Sequence, residues 1–302
     1  PYRDANIYHY SLQKIEVGAA IPITDRLRLA VKPFGALTRS VNQGLSSFPI
    51  NPPSAIPVNH YYAGVRSELV YDNSVTSGLN IIEGTRGKLI FNHYQGIDQS
   101  ENSFSQVSLD IRHYQKIYRG IVLAVRGFGG SFFGRSPKQY LLGGMDNWAF
   151  NRISNRGRDS EGNENVVGTR SENQDILFAE FATNLRGFRY ATLFGNNVVL
   201  MNAEFRVPLA RALSSSPISS NFFRNMQFIA FYDIGTSWSG PPPFNSGTSV
   251  RIDRIKNGPF EIDIKNFLNP WLYSYGAGMR TVMFGYYMKF DLAWPVENYQ
   301  AG

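Results

Sequence analysis

The chain contains no cysteine in its 302 residues and only four histidines: His9, His60, His93 and His113. This excludes a disulfide scaffold, a zinc–thiolate centre and a cysteine nucleophile, and argues against a His-rich metal centre. No stretch approaches the roughly 18 consecutive apolar residues of a helical membrane span. No segment of useful length has helical periodicity, and no linker divides the chain. Lys and Arg number 30 against 23 Asp and Glu, a formal charge of +7. The basic residues are dispersed rather than clustered, so nucleic acid is not the expected partner. What remains is 43% apolar residues with 14% aromatic and 18% charged, enough core material to exclude global disorder. The chain opens at Pro1 without a signal-peptide pattern, so a leader has been removed or a longer chain precedes it.

What is present is period two. Over Arg26–Phe34, Leu27, Leu29, Val31 and Pro33 share one face, and Arg26, Arg28 and Lys32 the other. The same alternation sets Val65, Leu69 and Tyr71 against Arg66, Glu68 and Asp72. It sets Leu89, Phe91 and His93 against Lys88 and Asn92, and Val107, Leu109 and Ile111 against Ser108, Asp110 and Arg112. Leu123 and Val125 oppose Ala124 and Arg126. Late in the chain Met201, Ala203, Phe205 and Val207 oppose Asn202, Glu204 and Arg206. Tyr273, Tyr275, Ala277 and Met279 oppose Ser274, Gly276, Gly278 and Arg280, and Phe290, Leu292 and Trp294 oppose Lys289 and Asp291. Further strands are expected near Ile7–Ile23 and Asn225–Trp238.

A soluble sandwich alternates in the same way. Two features favour a transmembrane antiparallel β-barrel of the outer-membrane type. Aromatic residues gather near strand ends (Tyr8, Tyr10, Tyr61, Tyr62, Tyr71, Tyr94, Tyr273, Tyr275, Tyr286, Tyr287, Trp294), where an interfacial girdle would sit. Short turns near Thr24–Asp25, Tyr118–Gly120 and Gly285 alternate with long polar loops near Val41–Asn59, Gly134–Asn197 and Gly240–Pro270. Short turns on one rim and long loops on the other are what such a barrel shows.

Five ordered segments carry a resemblance. Asn184-Leu185-Arg186-Gly187-Phe188-Arg189 precedes Asn202-Ala203-Glu204-Phe205-Arg206-Val207-Pro208-Leu209. Then come Phe231-Tyr232-Asp233-Ile234-Gly235 and Gly276-Ala277-Gly278-Met279-Arg280, the last followed by Lys289-Phe290-Asp291-Leu292-Ala293-Trp294-Pro295. Together these resemble the C-terminal barrel of the BamA/TamA-like surface-antigen proteins, the outer-membrane assembly and two-partner-secretion superfamily. Leu141-Leu142-Gly143-Gly144 is similar to the glycine pair that opens the family's long loop.

The resemblance implies that the loop of about 134–197 folds into the lumen. Its tip would be Arg186, Gly187 and Phe188, held by Asp233 and, as a second acidic partner, Glu204. The residues agree independently: parity places Glu204 and Asp233 on the charged face, and a guanidinium takes a carboxylate bidentately. The family's barrels have about sixteen strands, against roughly ten or eleven here. Residues 1–302 are therefore expected to form part of the barrel, with periplasmic domains and strands upstream and one strand beyond Gly302. The implied function is insertion of outer-membrane proteins or polypeptide translocation in a Gram-negative outer membrane. It needs no covalent chemistry and no cofactor. Its partners would be outer-membrane lipids, unfolded or secreted polypeptide clients, and accessory outer-membrane or periplasmic subunits.

Alternative sites are weaker. No Gly-x-Ser-x-Gly elbow surrounds Ser131, and His93 and His113 fall on the apolar parity, so an enzyme is not expected. Asp159, Glu161 and Glu164 lack calcium-loop spacing. Gly127, Gly129 and Gly130 lack a phosphate-loop Lys-Ser/Thr and offer room for packing or a barrel seam. Arg26, Arg28, Lys32, Arg66, Arg112, Arg126 and Arg280 could line an anion-selective pore. The favoured reading is pairing with Glu68, Asp72, Asp110 and Asp291 across strands. A passive channel or nutrient transporter, and a membrane anchor for a periplasmic binding domain, stay open beside assembly or secretion.

Overall fold

The computed structural model describes residues 6–44, 57–78, 81–145, 178–182, 184–209, 219–240, 242, 244, 250–257, 260–267 and 269–296. In chain order the strands are β1 (Asn6–Glu16), β2 (Ala19–Pro22), β3 (Leu27–Gly44), β4 (Val58–Asp72), β5 (Val75–Gly78), β6 (Ile81–Gly96), β7 (Phe104–Lys116) and β8 (Val122–Gly134). They continue with β9 (Tyr140–Leu142), β10 (Glu180–Phe181), β11 (Leu193–Gly195), β12 (Asn197–Pro208) and β13 (Gln227–Trp238). The last are β14 (Val250–Asn257), β15 (Phe260–Phe267), β16 (Leu272–Met283) and β17 (Tyr286–Val296).

One antiparallel sheet runs β1-β3-β4-β6-β7-β8-β12-β13-β16-β17, with β2 extending the β1 edge of β3 and β5 extending the β4 edge of β6. This ten-strand path is an outer-membrane barrel wall. Among the described residues no pairing joins β17 to β1. Short turns close one rim: Arg119-Gly120 and Phe284-Gly285 place both central residues at positive φ, the geometry that matches hairpin twist. The other rim carries the segments 45–57, 135–196 and 239–271. Within the last, the expected polar loop contains the antiparallel β14–β15 hairpin. Connections 97–103 and 209–226 break the strict short–long rule, the second carrying a helical turn at Asn221–Arg224.

Burial is inverted relative to a water-soluble sheet. Val31, Leu109, Phe205 and Leu292 lie exposed on the outer face, while Glu68, Asn92, Asp233 and Ser274 are buried on the inner face. That inversion is favourable where the outer solvent is hydrocarbon and the interior is polar. The inner face is not uniformly charged. Towards the long-loop rim, Phe34, Tyr62, Tyr94, Phe104 and Phe132 occupy inward positions and pack with loop residues Tyr140, Leu142, Phe178 and Leu185. Tyr62 and Tyr94 are therefore not girdle residues. They share parity with Arg66 and Lys88 and stack inside, with Tyr94 parallel to Phe104 at 4.6 Å. Tyr287 likewise faces inward, lining a cavity beside Lys289. Tyr61, Tyr71, Tyr275 and Trp294 do stand on the outer surface.

Candidate functional site

The site is built where the long segment between β8 and β12 meets the inner wall. The segment leaves β8 and forms β9, and Gly143 and Gly144 follow at φ +115° and +92°. The left-handed region strongly favours glycine. A Cβ on Gly143 would also stand 2.7 Å from the Arg189 carbonyl oxygen. This close approach lets Gly144 exchange two backbone hydrogen bonds with Leu185, at 3.1 and 3.2 Å. The glycine pair thus touches the base of the Arg186-Gly187-Phe188 tip, and the two ends of the segment brace each other.

From there Arg186 enters the wall. Its Nε and Nη2 donate to Asp233 Oδ2 and Oδ1, both at 2.7 Å, and its backbone N donates to Oδ2 at 3.2 Å. Its Nη1 donates to Glu204 Oε1 at 2.7 Å. Asn202, the cross-strand neighbour of Asp233, donates from Nδ2 to Asp233 Oδ1 at 2.8 Å and to the Asn184 carbonyl at 2.9 Å. Asp233, at 0% exposure, therefore accepts four hydrogen bonds. The guanidinium lies 3.6 Å from the centroid of Phe231, a cation–π contact in a desolvated setting. Phe231 can lie flat because Gly276 opposes it on β16; a Cβ there would clash with the ring.

Gly187 turns at φ +86°, and a Cβ on it would approach the Pro295 nitrogen of β17 at 3.2 Å. Phe188, 3% exposed, enters the inner apolar cluster with Leu142 and Leu200. The tip thus contacts side chains from β12, β13 and β17.

Charge around the tip is balanced. Arg206 donates to Glu204 Oε2 at 2.7 and 2.9 Å. Asp291 accepts Arg280 Nη2 at 2.9 Å and lies 3.9 Å from Arg186 Nη1. Three arginines and three carboxylates result. Burial alone would disfavour the Arg186 cation, but Asp233 and Glu204 outweigh it and raise its pKa. Arg186 stays ionised at every accessible pH. The cluster clamps; it offers no nucleophile and no free base.

A second attachment sits nearer the long-loop rim. Gln106 of β7 donates to Tyr140 Oη at 2.9 Å and to Glu180 Oε2, and accepts from Asn92 Nδ2 at 2.7 Å. Tyr140 lies over Gly130, where no Cβ intervenes. Burial is the main cause raising the Glu180 pKa, with Gln106 opposing it. The Tyr140 phenol is also raised, by burial and then by the Glu180 charge. Sequence reasoning missed this attachment, and also Asn202 and Phe231. The parity signal was available, since Gln106, Asn202 and Phe231 all lie on inward positions.

The remaining predicted residues are also placed. Arg66–Glu68 (2.5 Å) and Arg112–Asp110 (3.0 Å) pair along one strand rather than across strands, whereas Arg126–Asp110 (2.6 Å) pairs across strands. Arg280 and Asp291 also pair across strands. Gly127, Gly129 and Gly130 belong to β8, which is hydrogen-bonded on both sides, so they mark no seam. His93 and His113 face outward and contact Ser105 and Thr85 hydroxyls, each at 2.9 Å. Ser131 contacts Asn197 Oδ1 at 2.7 Å. Asp159, Glu161 and Glu164 lie outside the described residues. Among the described residues no group of three His, Cys, Asp or Glu is placed to hold a metal.

No curated protein matches the chain significantly. Among solved structures it is similar to BamA from Haemophilus ducreyi lacking POTRA domains 1–3, with a TM-score of 0.56 and 15% identity. The alignment covers 97% of this chain and 52% of that one, so the chain spans about half its length. At that identity the likeness is one of fold. The Omp85 superfamily domain matches residues 84–301, from β6 through the last described strand, and by that match the chain belongs to the Omp85 superfamily.

Proposed function

We propose that this barrel handles polypeptide clients in a Gram-negative outer membrane, inserting outer-membrane proteins or translocating polypeptides without covalent chemistry or a cofactor. The observation that carries the reading is the clamp of Arg186 on Asp233 and Glu204. It fixes a long internal segment to three strands and braces the wall against which a client would be handled. The strand path supplies backbone edges to which an extended client can pair. The pairing of Arg66, Arg112, Arg126 and Arg280 with carboxylates weighs against a pore lined by free cations.

The test is Arg186→Ala in the native membrane. The barrel should still insert at normal levels and migrate heat-modifiably on a gel, while client assembly or secretion falls. Unchanged client handling at normal protein level would overturn the reading. The proposal extends to periplasmic domains upstream and a further strand downstream. Intact mass of protein extracted from its native membrane should then lie well above 34.0 kDa; a mass of 34.0 kDa would remove that extension.

A further inference from the structure

The outer face of β6 and β7 carries polar side chains at two levels and none between them. Near the long-loop rim, His93 stands directly opposite Ser105; near the short-turn rim, Thr85 stands directly opposite His113. Each imidazole Nδ1 lies 2.9 Å from its partner's hydroxyl. Among the described residues, neither ring has a partner for its second nitrogen. The outward positions between the two pairs are Gly87, Leu89 and Phe91 on β6 and Val107, Leu109 and Ile111 on β7. Beyond the pairs polarity resumes, with the exposed Gln95 at one end and Gln115 at the other. Neighbouring strands repeat the levels. Tyr71 of β4, opposite Gly87, stands outward beside the Thr85–His113 pair. Ser131 of β8 meets Asn197 of β12 at 2.7 Å, one outward position inside the His93–Ser105 row. The strand ends step the same way, since β12 begins opposite Ser131, short of the end of β8 at Gly134. Ser67 of β4, opposite Phe91, adds one small hydroxyl at the edge of the strip.

We infer that the two histidine–hydroxyl pairs seat this part of the wall in the headgroup layers of a membrane whose hydrocarbon is about 20 Å thick. The eight-residue step from Thr85 to His93 spans about 27 Å along an antiparallel strand. A strand tilt of roughly 35–45° reduces that to about 20 Å of height. That is shorter than the apolar band of about 25 Å usual for such barrels, and it fits a bilayer on the thin side. In hydrocarbon the second imidazole nitrogen would go unsatisfied. At the headgroup level it can meet a phosphate, an ester carbonyl or water, while Ser105 and Thr85 hold the first. The occupant is lipid rather than another chain, because the strip is bracketed at both ends at matched register, as two parallel headgroup planes require. A protein partner imposes no such spacing.

The test uses the full protein, extracted from its native membrane and reconstituted in phosphatidylcholine bilayers. Residues 1–302 hold no cysteine, so Leu109→Cys, Gln95→Cys and Gln115→Cys each give this region one site for a bimane label, with the unsubstituted protein as blank. A nitroxide deep in the lipid acyl chain should quench the label at 109 more strongly than a headgroup nitroxide does. The order should reverse at 95 and at 115. The heat-modification midpoint is then measured in bilayers of short-, medium- and long-chain lipid. His113→Leu carries the apolar margin outward by one outward position, about 5 Å of height, and should shift the most stabilising lipid to a longer chain. His113→Gln keeps a polar group at that level and should leave the optimum in place. Four results would overturn the inference: strongest quenching of the label at 95 or 115 by the deep nitroxide; a label at 109 that neither lipid reaches, which would show the strip covered by protein; an optimum unmoved in His113→Leu; or the same shift in His113→Gln as in His113→Leu.

Discussion

The long segment between β8 and β12 is fixed to the wall at two places that solve the same problem differently. At the tip, a buried cation meets buried carboxylates, and every charge has a counter-charge. Nearer the rim, aromatic packing carries the attachment and Gln106 supplies the hydrogen bonds, and among the described residues the buried Glu180 has no cation within ion-pair distance, only the more distant charge of Arg66. The first arrangement is specific and brittle, because removing one partner strands another in a dry setting. The second is tolerant, because apolar area dominates and its polar bonds are individually small.

The largest expected effect follows from that brittleness. Asp233→Ala strips Arg186 of two side-chain bonds and one backbone bond while leaving the guanidinium 5% exposed at most by residue. Docking should weaken by about 3–5 kcal/mol, the usual consequence of breaking a buried pair. Limited proteolysis between β8 and β12, with the heat-modification midpoint of the barrel, would read it. Combining Arg186→Met with Asp233→Leu should recover much of the protection, because apolar replacement of a whole buried pair is often neutral. Protease protection restored without client assembly would show that the ion cluster serves function rather than stability. Protection that stays lost in the double variant would break the comparison.

Gly276→Ala tests the layer beneath. The added methyl meets the Phe231 ring, which must tilt and carry the Arg186 guanidinium off its face. Overpacking of this kind typically destabilises by about 1–3 kcal/mol. Tip protection should fall more than rim protection, which separates the two attachments in one experiment. Equal loss at both would show that they dock as a unit.

These residues also show what was legible in the sequence. Period two gave the wall, because a strand with one face in hydrocarbon repeats its polarity at every second residue. Arg186, Asp233 and Glu204 were legible only when the ordered motifs were joined to parity, since a lone Arg-Gly-Phe has no chemistry that distinguishes it from a solvated turn. The inner aromatic cluster was not. Tyr62 and Tyr94 near strand ends look like girdle residues until their parity with the inward Arg66 and Lys88 is noted. Periodicity reports which face a side chain occupies, but not what a distant segment brings to cover it. Gln106, Tyr140 and Glu180 meet across 34 and 74 residues of chain, a separation at which no local pattern operates.

Tyr140→Phe probes the rim attachment at small scale. It removes the hydroxyl bonded to Gln106 and keeps the ring over Gly130. The loss should be about 0.5–1.5 kcal/mol, read by proteolysis near β9. Tyr140→Ala should lose about 3–5 kcal/mol through the vacated aromatic volume. If the two variants behaved alike, polar bonding rather than packing would hold the rim, contrary to the contrast drawn with the tip.

The smallest effect is a pH dependence at the rim. Burial raises the Glu180 pKa above its ordinary value of 4.5, so the docked segment holds that proton more tightly than the undocked one. Docking at the rim is then strongest below the ordinary value and weakens as pH rises through the raised value. Asp98 provides the opposite sign on the same rim. Burial pushes it up, but the bonds from His60 and from the Tyr61 backbone, at 2.9 and 3.2 Å, outweigh that and hold its pKa low. Its contribution is therefore lost as pH falls. Protease protection measured separately near β10 and near residues 97–99 should move in opposite directions across the acid range. In Glu180→Gln the β10 response should flatten while the Asp98 response persists. An unchanged β10 profile would assign the pH dependence elsewhere, and the rim would then be as charge-balanced as the tip.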